Sequence, residues 1–250
     1  MTVVLVHGAP ETSAVWEPLV SELALLGHSE VVRLSPPGFG APVPEDFGAT
    51  ADDYRSWLID QLSAFDEPVD LVGHDWGGLH VLGVAMTRPD LMRSWVSDAV
   101  GAFEPDYEWH SIAQVWLTPG EGERSAAEIF AGTVEERTAR VASWGILPPA
   151  AAGVAAGQGE EMARAMLALY RSVPQPFLAE IGRNIPAAAE RPGLAVIAGA
   201  DDVVGSLEQR QRGSKRAGAR TEVLEGLGHW WMLEDPALGA RVLSAFWKSL

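Results

Sequence analysis

Short apolar runs alternate along this chain with longer segments in which apolar residues recur at helical spacing. The runs are VVLV (3–6), VVRL (31–34), VDLV (69–72), SWVS (94–97), LAVIA (194–198) and TEVL (221–224). Short runs of this kind are typical of strands that are buried on both faces, with helices packed above and below the sheet. The alternation therefore predicts an α/β fold, a mostly parallel sheet of about six strands flanked by helices.

The alternation stops between about residues 101 and 186, where no strand candidate occurs. Helical segments such as 160–171 lie there between joints rich in proline and glycine, and residues 147–159 are the most loop-like part. An insertion after the fourth strand and before the fifth is expected to cover the sheet as a lid. We predict a core made of 1–101 and 187–250 and a helical cap made of 102–186.

Composition limits the classes of partner and the compartment. The net charge of −16 argues against a nucleic-acid partner, and the chain has no cysteine for disulfides or thiolate metal sites. No stretch is apolar for long enough to span a membrane, and the first residues lack the pattern of a signal peptide. We expect a cytoplasmic monomer or homodimer that acts on a small molecule and needs no cofactor or metal.

The motif GHDWG (73–77) places Asp75 between a predicted strand and a predicted helix, 78–88. A tight strand-to-helix turn would hold the Asp75 carboxylate above the carboxyl edge of the sheet, where open parallel sheets bind ligands. Gly73 and Gly77 would permit the close backbone approach that such a turn needs. The alternative is an aspartate that caps the following helix, which is the commoner role for this residue type.

Two loops at the same edge of the sheet supply possible hydrogen-bond donors and a possible base. HGAP (7–10) follows the first strand, so the N–H groups of Ala9 and Trp76 could both stabilise an oxyanion. His229 follows the last strand, at a position where it could reach Asp75. An ordinary strand-exit turn and a structural histidine are the alternatives for these two loops.

An acidic partner for His229 has three candidates. The loop AGADDVVGS (198–206) contains Asp201 and Asp202, either of which could orient an imidazole, although acids in loops are usually only solvated. Asp98, at the end of the fourth strand, is the third candidate. The chain order is then nucleophile, acid and histidine.

With this order and with the GHDWGG, HGAP and GHWW motifs, the sequence resembles the α/β-hydrolase superfamily, in particular its branch of epoxide hydrolases and haloalkane dehalogenases. The resemblance implies an α/β-hydrolase fold with a helical cap and Asp75 as a nucleophile that attacks an sp³ carbon. It implies that His229 then activates water to hydrolyse the resulting ester, with Asp202 as the preferred acid because the second acid of GADD best fits the family pattern.

The two subfamilies differ in what meets the leaving group, since an epoxide oxygen needs a proton donor and a halide needs only N–H donors. The segment ALYRSVPQPF (168–177) resembles the later lid tyrosine of epoxide hydrolases, which makes Tyr170 a candidate proton donor, with lid packing as its alternative role. Many dehalogenases have an asparagine that donates to the halide at the position where this chain has Ala9, and its absence weighs against a dehalogenase. The substrate pocket is expected to include Tyr107, Trp109, His110, Trp116, Trp144 and Trp230.

These residues predict an epoxide hydrolase that forms an alkyl ester on Asp75 and releases a diol. A haloalkane or haloacid dehalogenase that uses the same covalent mechanism is the second hypothesis, with Trp76 and a lid tryptophan as halide donors. A ligand-binding protein that has this fold but no turnover is the third.

Overall fold

A computed structural model describes all 250 residues and contains one six-stranded sheet, all of whose neighbouring strands are parallel. The strands, in the spatial order β2-β1-β3-β4-β5-β6, are β1 (Val3–Val6), β2 (Val31–Leu34), β3 (Val69–Gly73), β4 (Met92–Ser97), β5 (Gly193–Ala198) and β6 (Arg220–Leu224). The predicted fold class is confirmed, and β4 begins two residues before its predicted start.

Burial along the strands follows their place in the sheet. All residues of β1, β3 and β5 are buried, whereas the edge strands β2 and β6 are largely exposed or partly exposed. The central strands therefore bury apolar side chains on both faces, as their unbroken apolar sequences predict.

Twelve α-helices surround the sheet: α1 (Glu17–Leu25), α2 (Ala51–Ser63), α3 (Trp76–Thr87), α4 (Ser111–Leu117), α5 (Glu121–Phe130), α6 (Val134–Trp144), α7 (Ala150–Gly157), α8 (Glu160–Arg171), α9 (Phe177–Ile181), α10 (Leu207–Arg216), α11 (Trp231–Glu234) and α12 (Pro236–Lys248). Several begin at side-chain caps; Thr50, for example, forms a reciprocal capping box with Asp53 at the start of α2. None of the twelve has the length and apolar character needed to cross a bilayer.

The six helices α4 to α9 all lie between β4 and β5, where no strand was predicted. The prediction that 147–159 is mainly loop was wrong, because α7 occupies 150–157. Alanine is the strongest helix former, and Ala151, Val154 and Ala155 of α7 are buried. Packing of this face outweighs the glycines and prolines that suggested a loop.

One apolar cluster runs through both the sheet and the inserted helices. It contains Val6 and Leu71 from the sheet together with Met166 and Leu169 from α8. The inserted helices thus share a core with the sheet, and the division into a core (1–101 and 187–250) and a cap (102–186) stays a prediction.

Candidate active site

Asp75 stands at a sharp turn between β3 and α3. Its backbone has φ 52° and ψ −122°, a region that residues other than glycine seldom adopt and that costs free energy. The Asp98 carboxylate accepts a hydrogen bond from Asp75 N–H at 2.9 Å, which helps to hold the turn. Gly77 leaves no space for a side chain, because a Cβ there would overlap the main-chain oxygen of Val6. The turn therefore depends on close contact with β1.

The HGAP loop after β1 holds one oxygen of the Asp75 carboxylate. Ala9 N–H donates a hydrogen bond to Asp75 Oδ1 at 3.0 Å. Gly8 lies so close that a Cβ would overlap the same carboxylate. Trp76 N–H makes no hydrogen bond to Asp75, so its part as a second oxyanion donor stays a prediction.

The other carboxylate oxygen faces His229. Nε2 of His229 lies 3.9 Å from Asp75 Oδ2, and Nδ1 lies 3.0 Å from Asp201 Oδ2. All three side chains are at least nine-tenths buried. The loops that follow β3, β5 and β6 thus bring together the carboxylate, the acid and the imidazole at one edge of the sheet.

The acid beside His229 is Asp201 and not the preferred Asp202, which is exposed. The loop after β5 turns tightly, with Asp201 N–H donating to the carbonyl of Ala198 at 3.2 Å. Asp201 Oδ1 accepts from Val203 N–H at 2.7 Å, which fixes the carboxylate toward the histidine. Side chains of neighbouring residues in such a turn point in different directions, so Asp201 reaches His229 while Asp202, one residue later, is exposed to solvent.

Asp98, the third candidate, supports the Asp75 turn and makes no contact with His229. Its Oδ2 lies 2.6 Å from His74 Nδ1 and accepts from the Trp231 indole at 2.8 Å. The second nitrogen of His74 lies 3.2 Å from Glu11 Oε1. A buried chain of hydrogen bonds therefore links β4 through His74 to the loop after β1.

The protonation behaviour of the three central groups follows from their burial and their partners. Burial raises the pKa of Asp75 to about 6, and the charge of His229 only partly opposes it. Burial alone would also raise the pKa of Asp201, but the contact with His229 outweighs it and lowers that pKa to about 2. Burial lowers the pKa of His229, whereas the charge and hydrogen bond of Asp201, together with the charge of Asp75, raise it, and the net pKa is raised.

A cavity of about 310 Å³ opens above Asp75, and most of its lining is apolar. Four of the six predicted pocket residues line it: His110, Trp116, Trp144 and Trp230. Tyr107 and Trp109 do not; they border a much smaller cavity that Asp75 also lines. Tyr107 donates its hydroxyl to the Val203 carbonyl at 3.4 Å, which ties it to the loop after β5.

Tyr170, from α8, lines the large cavity together with Asp75. Its ring packs edge-on against Trp76 and Trp116, at centroid distances of 5.1 Å and 4.9 Å. Its hydroxyl makes no hydrogen bond of good geometry to another protein atom. Burial, with the charge of Asp75, raises the pKa of Tyr170 well above 10, so the phenol keeps its proton at neutral pH.

Two charged cavity residues were absent from the sequence-based site. Glu11 directly follows HGAP, is buried and accepts a hydrogen bond from the Trp230 indole. Arg140 lies on α6, where nothing in the sequence distinguishes it from other exposed arginines. The position of Glu11 beside the motif was a usable signal, whereas Arg140 required the packing of the inserted helices.

Glu11, His74 and His229 offer three potential metal-ligating atoms within 4.8 Å of one another. The Glu11 oxygen is already bonded to His74 and to Trp230, so hydrogen bonds account for the cluster. The expectation that the site works without a metal stays a prediction.

The curated relatives that resemble this chain include proteins named as hydrolases and, at 36% identity over 108 residues, the probable oxidoreductase EphD of Mycobacterium tuberculosis, over 41% of this chain and 17% of that protein. The chain is 33% identical over 91 residues to (E)-2-((N-methylformamido)methylene)succinate hydrolase of Acinetobacter baylyi, a match that spans 36% of this chain and 34% of that protein. It is 30% identical over 98 residues to the AB hydrolase superfamily protein YfhM of Bacillus subtilis, over 38% of this chain and 34% of that protein. The matched region is thus about a third or less of the length of each curated relative.

Among solved structures, the haloalkane dehalogenase DbeA of Bradyrhizobium elkani has a TM-score of 0.68 at 20% identity, over 100% of this chain and 91% of that one. The enol-lactonase of Burkholderia xenovorans has a TM-score of 0.69 at 18% identity, over 98% and 90% of the two chains. At these identities the likeness shows the fold alone. The model of the alpha/beta hydrolase family matches residues 3–242, nearly the whole chain, and the chain therefore belongs to the alpha/beta hydrolase family.

Proposed function

We propose that this protein is an epoxide hydrolase that uses Asp75 as a covalent nucleophile. The observation that carries the proposal is the arrangement around the Asp75 carboxylate in the lining of the cavity: Oδ1 accepts a hydrogen bond from Ala9 N–H, while Oδ2 lies 3.9 Å from Nε2 of His229. A carboxylate placed at this turn attacks a carbon electrophile directly and retains the product as an ester.

In the first step, Asp75 Oδ2 bonds to one epoxide carbon as the bond from that carbon to the epoxide oxygen breaks. Tyr170 gives its proton to the leaving oxygen, and the product is a hydroxyalkyl ester of Asp75 with a phenolate on Tyr170. The raised pKa of Tyr170 keeps the donor protonated beforehand and makes the phenolate a strong base that regains a proton afterwards.

In the second step, His229 takes a proton from a water molecule, and the resulting hydroxide attacks the carbonyl carbon of the Asp75 ester. Ala9 N–H, with Trp76 N–H as the predicted second donor, stabilises the oxyanion that forms on the Asp75 oxygen. Asp201 holds the imidazole and stabilises its charged form. As the intermediate collapses, the bond from the Asp75 carbon to the alkyl oxygen breaks and that oxygen takes the proton held by His229, which releases the diol. The proton left on the attacking oxygen passes to the Tyr170 phenolate and restores the Asp75 carboxylate, and the predicted cap helices of 102–186 shield both steps from bulk water.

The relatives support a hydrolase and leave the electrophile open. The Acinetobacter relative is named for hydrolysis of a substituted succinate, and the structural neighbours include both a haloalkane dehalogenase and an enol-lactonase. The aspartate at position 75 favours reaction at an sp³ carbon over an acyl substrate, because a carboxylate nucleophile would form an anhydride from an ester.

Trapping of the ester tests the proposal. His229→Gln removes the base of the second step but leaves the nucleophile, so the variant should be alkylated once and then stall. Intact-mass spectrometry after incubation with a terminal epoxide should show the protein mass increased by the whole mass of the epoxide. Full multiple turnover by this variant, or an unmodified mass in a variant that still consumes epoxide, contradicts the proposal.

The second candidate is a haloalkane dehalogenase, favoured by one specific observation. The Trp76 indole Nε1 is buried and makes no hydrogen bond of good geometry, although the Tyr170 hydroxyl lies near enough for the indole to lower its pKa against the effect of burial. A departing halide could accept that N–H bond. The same position also suits the oxygen of an epoxide, which Tyr170 can additionally protonate, so the epoxide comes first.

Tyr170→Phe distinguishes the two candidates, because it keeps the ring and removes only the hydroxyl. Alkylation by an epoxide should slow by about 10²- to 10⁴-fold, while alkylation by a haloalkane of similar shape should hardly change. Activity on haloalkanes with none on any epoxide assigns the protein to the dehalogenases. Tight binding of either class without any turnover supports the third hypothesis, a ligand-binding protein.

A further inference from the structure

The cavity above Asp75 contains one cation that the proposed mechanism does not use. Arg140, on α6, lines this mainly apolar cavity together with Trp144, which stands four residues later on the same helix face. No other arginine or lysine lines it, and the carboxylates that do, Asp75 and Glu11, belong to the site already described. Arg140 is therefore the one arginine or lysine in the lining of the proposed substrate space.

The hydrogen bonds of Arg140 leave part of its guanidinium free. One terminal nitrogen donates to the carbonyl oxygens of Ile129 and Ala131 at 2.7 Å and 3.2 Å, at the end of α5. The Nε and the second terminal nitrogen donate to no protein atom, and no carboxylate lies within 4.0 Å to form a salt bridge. The anchored nitrogen fixes the group, while the free edge offers two parallel N–H donors, the arrangement that binds a carboxylate in bidentate fashion.

The depth of the lining residues orients the cavity. Asp75 and Tyr170 are 8% and 2% exposed, whereas Arg140 and Trp144 are partly exposed and Ile112 is 40% exposed. From this difference in exposure we infer that Asp75 and Tyr170 lie deeper in the cavity than Arg140, within a lining that is mainly apolar. A ligand that spans this space has its reactive carbon at one end, an apolar middle and an anionic group at the other.

We propose that Arg140 binds a carboxylate of the substrate, so that the preferred substrates are aliphatic epoxides with a carboxylate at the end remote from the ring. This inference rests on the proposed function of Asp75 for the reactive group, but the carboxylate contact itself does not depend on turnover. In a chain with a net charge of −16, a local cation of this kind is needed to attract an anionic substrate into the cavity.

Arg137 provides a matched control on the same helix. It is also partly buried and also donates to main-chain oxygens, those of Ala155 at 3.2 Å and Gly132 at 2.6 Å, but it does not line the cavity. Arg140→Gln and Arg137→Gln each remove one positive charge from α6 and disturb similar contacts. Only a contact with the ligand distinguishes them.

Turnover of two matched epoxides measures the contact. The substrates are hexanoate with the epoxide at the far end of the chain and the primary amide of the same acid. Arg140→Gln should raise KM for the carboxylate by roughly 10- to 100-fold, with a small change for the amide, and Arg137→Gln should change neither by more than about twofold. Equal effects of Arg140→Gln on both substrates, or equal effects of both variants, overturn the proposal.

Binding without chemistry separates this inference from the proposed function. Hexanoate and hexanamide are titrated into Asp75→Asn protein, and binding is followed by calorimetry. Hexanoate should bind roughly 10-fold or more tightly than hexanamide, and Arg140→Gln in that background should abolish the preference. Equal binding of the two ligands overturns the carboxylate site. A preference for hexanoate in a protein that turns over no epoxide upholds the site and refutes the proposed function.

Discussion

Asp75 combines two properties that a carboxylate nucleophile needs, a fixed oxygen and a raised pKa. Ala9 N–H fixes Oδ1, and burial raises the pKa to about 6, which makes the carboxylate more basic and more nucleophilic than an exposed one. The strained backbone of the turn presents this group to the cavity. The position in which the fold holds the Asp75 side chain thus accounts for the reactivity that we propose for it.

The raised pKa predicts the pH dependence of alkylation. The ionised carboxylate is the nucleophile, so the alkylation rate should fall about tenfold per pH unit as the pH drops below about 6. The pKa of Tyr170 lies well above 10, so the rate should stay level from neutral pH to about pH 10. Stopped-flow tryptophan fluorescence in a single turnover measures this rate. A rate that stays constant between about pH 5 and about pH 8 contradicts the assignment of Asp75.

Asp201 and its exposed neighbour Asp202 allow a matched test of which carboxylate orients His229. Asp201→Asn should slow hydrolysis of the ester by about 10²- to 10⁴-fold, because His229 loses the partner that orients it and stabilises its charge. Alkylation should be much less affected, so the ester should accumulate. Asp202→Asn, which alters an exposed neighbour, should leave both rates within about twofold. Loss of hydrolysis in Asp202→Asn alone reverses the assignment.

Sequence reasoning reached Asp75, His229 and Ala9 because each lies in a short motif at the end of a strand, where a parallel sheet brings loops together. It preferred Asp202 to Asp201, and this was wrong because the loop after β5, which the sequence pattern does not specify to one residue, directs the Asp201 carboxylate toward His229. Arg140 could not be predicted as a cavity residue from the sequence, because its position depends on how α5 and α6 pack over the sheet.

At the scale of elements, the contact between β1, β3 and α3 positions the nucleophile. Gly77 sits in the first turn of α3 against the main chain of β1, where a Cβ would overlap the Val6 oxygen. The three nearest atoms that a Cβ at residue 77 would meet are all backbone atoms, of Val6 and His7, and they cannot move aside as the end of a flexible side chain could. The helix can approach the strand only because residue 77 is glycine.

This contact predicts opposite effects for two alanine substitutions in the same helix. Gly77→Ala should lower the free energy of unfolding by about 1–3 kcal/mol or more and displace Asp75. Gly83→Ala, where a Cβ meets only Arg55 side-chain carbons at 3.4 Å and 3.5 Å, should raise it by about 0.5–1 kcal/mol. Urea denaturation measures both. Comparable stabilities of the two variants are incompatible with the close contact described for the turn.

The elements themselves were largely predictable, and the exception has a clear cause. The six strands were found because buried parallel strands are short, apolar and separated by helices. Helix α7 was missed because its glycines and the preceding prolines resemble a loop, whereas burial of Ala151, Val154 and Ala155 stabilises a helix. Helix propensity depends on local sequence, so it could not account for the packing of these three side chains against the rest of the protein.

At the scale of the whole molecule, the buried carboxylate that we propose as the nucleophile lies inside a strongly acidic protein, with a net charge of −16. One apolar cluster joins the sheet to the inserted helices, and Asp75, in the lining of the mainly apolar cavity, is 8% exposed. The low polarity of this space is what raises the pKa of the nucleophile. The packing of the inserted helices over the sheet thus buries Asp75, and this burial sets the pKa on which the proposed reaction depends.

Covalent catalysis through Asp75 is the central claim, and the source of the product oxygen tests it most directly. Enzyme in excess over a terminal epoxide is allowed one turnover in ¹⁸O-labelled water, and diol and protein are analysed by mass spectrometry. We predict a diol without label, because its second oxygen comes from the Asp75 carboxylate, and one labelled oxygen in the peptide that contains Asp75. Label in the diol of that first turnover, with an unlabelled peptide, would mean that water attacks the substrate directly.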